Sequence, residues 1–528
     1  MKRKLFLIIS SSLLFLKLGF TQSESIKNVD PFIADQKLSK NNYEAALDDY
    51  LYLLEGDAKN KKYQYNIAVC YLNTNINKTK AIPYLEAVAH KPLYDPNALY
   101  LLGRAYSYAY RFDDAIASYK EFKALAEGTL HNKQDVDRQI QFCINAKELI
   151  KFPVNVSFEN LGPNVNSIYP DYYAYIPTDE SFVIFNSRRP QENDERLKDD
   201  GTFPASIYVS KVVDGVFTKA KNIGLPIAKT EGEQEIIGLT GEGDVMLVYY
   251  TNEKKVGDIY IANKNSAKEF MPAEKLGDNI NSSKAQEIAA SINNDGSIIY
   301  FASNREGGIG GTDIYSSQKL PNGKWGLPQN LGPEINTIYD EDFPNIAVDG
   351  KTLYFSSNGY TSMGGYDIFK AELNSETKRF SNPKNIGYPI NTPEDNFNFR
   401  ISTNGQVGYM SALREGGLGD LDIYRILFND IEPRYSVVKG NLKSADSLKK
   451  INYSDVFISI TDSKTKQLIG NYAPNTISGR YIIILLPGKY NISIEAGGFN
   501  SYESQITILD KSSFEFEITK DIDLKPLK

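Results

Sequence analysis

One short motif recurs through the middle of the chain and constrains the fold more than any other feature. Asn160-Leu161-Gly162, Asn222-Ile223-Gly224, Lys275-Leu276-Gly277, Asn330-Leu331-Gly332 and Asn385-Ile386-Gly387 follow one another at spacings of 62, 53, 55 and 55 residues. A second motif alternates with it: Ser206-Ile207-Tyr208, Asp258-Ile259-Tyr260, Asp313-Ile314-Tyr315, Asp367-Ile368-Phe369 and Asp422-Ile423-Tyr424. An aromatic residue (Phe217, Phe270, Trp325, Phe380) stands six positions before the Leu or Ile of four of the tripeptides. Turn signals such as Asn294-Asp295-Gly296 and Asp349-Gly350 separate short strand patterns inside each unit. Units of about 50 residues holding four short strands are propeller blades. The spacing predicts a five-bladed β-propeller over 151–430. The last unit, from Glu394 to Phe428, has no closing strand of its own, and Val154–Gly162 is expected to supply it and hide the open sheet edges.

The glycine-rich stretches Asn304–Gly311 and Arg414–Gly419 lie between strands. They have neither the Lys-Ser/Thr nor the following helix of a phosphate-binding loop, so they read as hairpin loops needing positive φ. Asp313, Asp367 and Asp422 recur once per unit and read as turn formers. No dense acidic loop supports calcium. The charged stretch Glu192–Asp200 reads as a solvated loop.

Residues 30–150 carry a different period, near 35. Ala46-Leu47 recurs as Ala81-Ile82 and Ala115-Ile116, and Ala68-Val69-Cys70-Tyr71 aligns with Gly103-Arg104-Ala105-Tyr106. Small residues let paired helices approach, and aromatics fill the space between pairs. A helix–turn–helix unit of this length is the tetratricopeptide signature, and such arrays usually bind proteins. Three repeats are expected, with a closing helix over Gln134–Ile150. Cys70 and Cys143 fall inside these helices and read as small core residues.

At the N-terminus, Lys2, Arg3 and Lys4 precede the apolar run Leu5–Leu16, with Gly19 and Thr21 at cleavage-site spacing. This predicts a signal peptide over 1–21, too short to span a bilayer as a helix. Its removal, with Lys17, takes four positive charges away and moves the formal net charge from −7 to −11. At the other end, 433–525 shows short alternating strands such as Val456–Ile460, separated by turns, and predicts a small β-sandwich.

Composition narrows function. An acidic balance lacks the basic footprint of a nucleic-acid binder. Two cysteines and two histidines, His90 and His131, leave little for zinc sites or most hydrolase triads. No Gly-x-Ser-x-Gly elbow follows the propeller, and no His follows His131. The sequence therefore leads to the expectation of no enzyme, with no catalytic, cofactor-binding or metal residues. Tyr339, Tyr360 and Tyr366 could stack on sugars, although tyrosines at strand ends are more often packing residues.

The order of modules resembles that of the PorE-like envelope proteins of Bacteroidetes, whose blade motifs are of the TolB/PD type. Gly479-Arg480-Tyr481, Leu486-Pro487-Gly488-Lys489-Tyr490 and Ala496-Gly497-Gly498-Phe499 are similar to the pattern of their carboxypeptidase-regulatory-like domain. The resemblance implies a periplasmic scaffold at the outer membrane, linked to type IX secretion or gliding. Its implied partners are outer-membrane or periplasmic proteins, PorP/SprF-like proteins among them. The sequence stops about where the family's OmpA-type domain would begin, so peptidoglycan contact is not carried over. A propeller that binds glycan or peptidoglycan fragments is the alternative.

Overall fold

A computed structural model describes residues 29–527, apart from 91–94, 126–132, 192–195, 230–231, 252–256, 403–404, 430–434 and 509–516. The expected signal segment, His131 and part of the charged stretch 192–200 lie outside the described residues.

The N-terminal part is helical: α1 (Pro31–Ser39), α2 (Tyr43–Gly56), α3 (Lys61–Leu72), α4 (Ala81–Ala89), α5 (Asn97–Tyr108), α6 (Phe112–Leu125) and α7 (Lys133–Leu149). Side-chain caps mark the starts. Asp30 accepts from Phe32 N ahead of Pro31, Asn42 accepts from Ala45 N, and Asn60 accepts from Tyr63 N. Each helix packs on its sequence neighbours around one core that includes Tyr50, Leu85, Leu102 and Tyr119. The small residues set the spacing: a Cβ on Gly103 would meet the Tyr119 ring at 2.6 Å.

The body of the chain is β-rich and of propeller type. Among the described residues, five antiparallel sheets follow in order. The first is built on Asp171–Tyr175, Phe182–Ser187 and Ser206–Val213, and the second on Gln234–Leu239, Val245–Thr251 and Gly257–Asn263. The third uses Ala290–Ile292, Ile298–Ser303 and Asp313–Gln318, and the fourth Glu341–Ile346, Thr352–Ser357, Asp367–Leu373 and Phe380–Asn385. The fifth joins Arg400–Ile401, Val407–Ala412 and Asp422–Phe428 to Val156–Asn160, which pairs with the last of these in the register Val156↔Phe428 to Asn160↔Tyr424.

Apolar layers tie each sheet to the next. Ile184 and Ile207 pack with Ile236 and Val248, and Ile237 and Leu247 with Phe301 and Trp325. Tyr300 and Ile314 pack with Phe355 and Phe369, and Tyr354 and Ile368 with Phe399 and Met410. Ile423 of the fifth sheet packs with Val183 and Phe185 of the first, so the sheets form a closed ring.

Two further sheets follow the ring. Ser436–Ser444 pairs with Arg480–Leu485, Glu517–Thr519 and Ile522–Leu524. Phe457–Asp462 lies between Leu468–Tyr472 and Gly488–Glu495, with Tyr502–Ile508 beyond. They share a core of Val438, Ile458, Ile483 and Ile492.

Candidate functional surface: the loop rim and the axis of the ring

The two repeated motifs bond to each other, and this positions the loops on one rim of the ring. In the third sheet Asp313 accepts from Ile309 N and Gly310 N, closing the glycine-rich loop, and from Asn330 Nδ2 at 2.7 Å. The Asn330 side-chain oxygen accepts in turn from Gly332 N and from Asn336 Nδ2, and Asn336 accepts from Ile314 N. Asp367 with Asn385 and Asp422 with Asn160 repeat the arrangement. These carboxylates are turn formers. Within the glycine-rich loops, Gly307 (φ 88°) and Gly416 (φ 82°) adopt the left-handed backbone. Gly310 is glycine for another reason: a Cβ there would collide with the Tyr339 carbonyl oxygen.

An arginine fills the matching socket in the first and third sheets. Arg305 lies over the Phe301 and Tyr315 rings at 4.8 and 5.1 Å, donates to Ile280 O at 2.9 Å, and pairs with the buried Glu287 at 3.1 Å. Arg189 does the same with Phe185, Tyr208 and Asp171. The fourth sheet departs from the pattern, with Gly359-Tyr360-Thr361-Ser362-Met363 in place of Arg305-Glu306-Gly307-Gly308-Ile309. There the Tyr360 ring replaces the guanidinium over Phe355 and Phe369, and its hydroxyl donates to Ile335 O at 2.5 Å.

That departure is where the helices sit. Met363 is 1% exposed and belongs to the core of the helical array, whereas Ile309 and Leu418 at the matching positions are 40% and 42% exposed. Arg138 of α7 donates from Nε to Asn358 O at 2.8 Å and from Nη1 to Tyr360 O at 3.3 Å. Its guanidinium lies between the rings of Phe142 and Tyr339, 4.5 Å from each. Asn145 donates to Ser362 O, Lys78 pairs with Glu394 at 2.8 Å, Asn75 donates to Asp420, and the Tyr110 ring meets Tyr388 edge-on at 6.0 Å. The array thus covers the rim of the fourth and fifth sheets. Beside this seat a cleft of about 650 Å³ opens between α2 and the loops of the first and fifth sheets, lined by Glu44, Ile76, Ile168, Phe203 and Asp420 among others.

Aromatic rings meet on the axis of the ring. Tyr173 (φ 52°) and Phe343 (φ 48°) sit at register shifts of the innermost strands, in a backbone region uncommon for bulky residues. The first and fourth sheets are not neighbours, yet these two rings lie 4.8 Å apart, so the contact crosses the centre. Phe397 continues the row to Phe343 at 4.8 Å and to Tyr366 at 5.0 Å. Acidic groups accompany them. Burial pushes the Asp342 carboxyl up to about 7, against a single bond from Phe343 N and with Asp340 nearby. Burial also raises Glu235, which accepts from the Tyr172 hydroxyl, and lifts Asp367 to about 8.

The tyrosines considered for sugar stacking are packing residues: Tyr339 against Arg138, Tyr360 inside the fourth sheet, and Tyr366 against Phe397. His90 lies at the surface, 3.4 Å from Glu121. Cys70 and Cys143 are buried and free. Sequence reasoning missed Arg138, Met363, Tyr173 and Phe343. The signal for the first two was present, in the fourth unit's loss of the Arg-Glu-Gly-Gly loop.

No protein-family model matches the chain, and no curated protein matches it. Solved structures do. TolB from Acinetobacter baumannii is similar at 15% identity over 49% of this chain and 54% of its own, with a TM-score of 0.30. The chain therefore spans about half the length of that TolB. A thermostable family-43 glycoside hydrolase is similar at 16% identity over 53% of this chain and 94% of its own, with a TM-score of 0.34. The β-1,2-mannobiose phosphorylase from Listeria innocua is similar at 12% identity over 52% and 98%, with a TM-score of 0.34. The expectation of no enzyme is corrected here: the structures this chain is similar to are mostly enzymes, with glycoside hydrolases, a phosphorylase and a gluconolactonase among them.

Proposed function

We propose that the chain is a protein-binding scaffold of the periplasm, associated with the outer membrane and akin to the PorE-like components of type IX secretion or gliding. In this reading 30–150 is a tetratricopeptide array, 151–430 a five-bladed propeller and 433–525 a carboxypeptidase-regulatory-like sandwich. The observation that carries it is the seat of the array on the ring, with Met363 inside the helical core and Arg138 on the rim carbonyls. Two modules so joined present one continuous surface to a partner, and a third module in the same chain raises effective concentration at a shared target. In-cell cross-linking of the tagged full-length protein, followed by mass spectrometry of the envelope fraction, tests the proposal. Recovery of an outer-membrane barrel or secretion component supports it. Recovery of glycan with no protein above background refutes it.

A second reading, binding of glycan or peptidoglycan fragments, is favoured by the cleft of about 650 Å³ between α2 and the loops of the first and fifth sheets, which Tyr43, Tyr169 and Phe203 line together with Glu44 and Asp420. Stacking faces and carboxyls together are the groups that hold sugars. Calorimetric titration with peptidoglycan fragments separates the two readings.

A further inference from the structure

The rim of the ring repeats one local arrangement three times, and in one copy the apolar side chain at the loop tip is sealed. In each, the tip of a glycine-rich loop touches the loop from the neighbouring sheet: Gly310 against Tyr339, Gly364 against Pro393, and Gly419 against Ile168. The apolar residue before each glycine is Ile309, Met363 or Leu418. Met363 is sealed by the helical array, whereas Ile309 is 40% exposed and the adjacent Ile338 75% exposed.

We propose that Ile309 and Ile338 form a docking site for an amphipathic helix of a partner protein, one that carries a basic side chain beside its apolar stripe. This rests on the protein-binding reading above. Two observations specify the occupant. First, the site is continuous with the seat of α7, because Arg138 stacks on Tyr339, the residue that follows Ile338. A helix with arginine next to an aromatic is therefore what the neighbouring rim already holds. Second, Glu306 and Glu334, three or four residues from the two isoleucines, are exposed and complement a cation. Amphipathic helices are commonly read through such apolar anchors, with flanking charge fixing register.

The probe is a fluorescent peptide with the sequence of α7, Lys133–Leu149, with serine at its cysteine, titrated into the full-length protein to 1 mM and read by anisotropy. Saturable binding that weakens tenfold or more in the Ile309→Asp/Ile338→Asp double variant is expected. Both side chains are exposed, so the variant should keep its fold, checked by its melting temperature. Glu306→Lys/Glu334→Lys should weaken the same binding severalfold, more so at low salt. Absence of binding, or binding that the isoleucine variant leaves unchanged, overturns the proposal. Concentration-dependent dimerisation that Ile309→Asp/Ile338→Asp abolishes also overturns it, because the occupant is then a second copy of this chain. A failed peptide leaves cross-linked partners elsewhere on the chain intact, whereas failure of the scaffold reading leaves no cross-linked protein at all.

Discussion

Arg138→Ala should release the helical array from the ring without unfolding either. The side chain donates to the carbonyls of Asn358 and Tyr360 and is clamped by Phe142 and Tyr339, 4.5 Å on either side. A hydrogen bond from a charged donor contributes about 1.5–3 kcal/mol, and a desolvated cation–π contact adds up to about 2 kcal/mol. Contributions that share one side chain are not additive, so about 3–4 kcal/mol is expected for the cluster. At 1.4 kcal/mol per factor of ten, this shifts the docking equilibrium on the order of 10²–10³-fold. Hydrogen exchange read by mass spectrometry resolves the effect. Amides over 358–363 should exchange faster by that factor, while the strand Thr352–Ser357 beneath them keeps its protection. Arg138→Lys should restore little, because an ammonium cannot lie flat between two rings and serve two carbonyls. Exchange over 358–363 that matches the parent would refute the reasoning and leave Met363, with the Asn145, Lys78 and Asn75 contacts, holding the array.

Asp342→Asn should make stability less dependent on pH. A carboxyl whose folded pKa is raised to about 7 keeps a proton that the unfolded chain gives up near 4, so it lowers stability as pH rises across that window. The parent should melt lower at pH 8 than at pH 5, and the variant should lose part of that difference, read by calorimetry at both pH values. Gly310→Ala should lower the melting temperature, because its Cβ meets the backbone carbonyl of Tyr339, which has nowhere to move. Cys70 and Cys143 should resist thiol reagents in the native state. Burial pushes the two thiols up to about 12 and about 11, so reagent uptake should track unfolding when followed against denaturant. Deleting residues 30–150 should bare Met363 and make the remainder associate, and Met363→Ser in the deleted chain should reverse this when checked by sedimentation.

Regular features of the fold were legible because they arise from pairwise bonds that repeat with the sequence. Asn330 and Asp313 must be asparagine and aspartate for one to donate to the other, and the same pair returns at Asn385 and Asp367. Period and residue type therefore report together. The seat of the array was legible only as a departure from the repeat. In the fourth unit Gly359 stands where the third has Arg305, Tyr360 takes over the socket and Met363 turns to the helices, none of which alters the spacing. The axis was hidden for a different reason. Tyr173, Phe343 and Asn398 share a left-handed backbone on the innermost segments but not a residue type, so no motif connects them. The expectation of a non-enzyme rested on absent histidines and an absent nucleophile motif, and the solved structures similar to this chain, mostly enzymes, overturn it.

The pairing of Val156–Asn160 with Asp422–Phe428 has a mechanical consequence. The segment leading from the helices enters that pair at Val156, and the segment leading to the last two sheets leaves it opposite, at Phe428. Asn429 N donates to Asn155 O at the same end. A pull between the flanking parts therefore loads one antiparallel pair from one end, so its rungs open singly, as a zipper does, and do not resist together in shear. The weak direction of the ring is set at this seam, and tension taken up by the Arg138 seat is tension the seam does not bear.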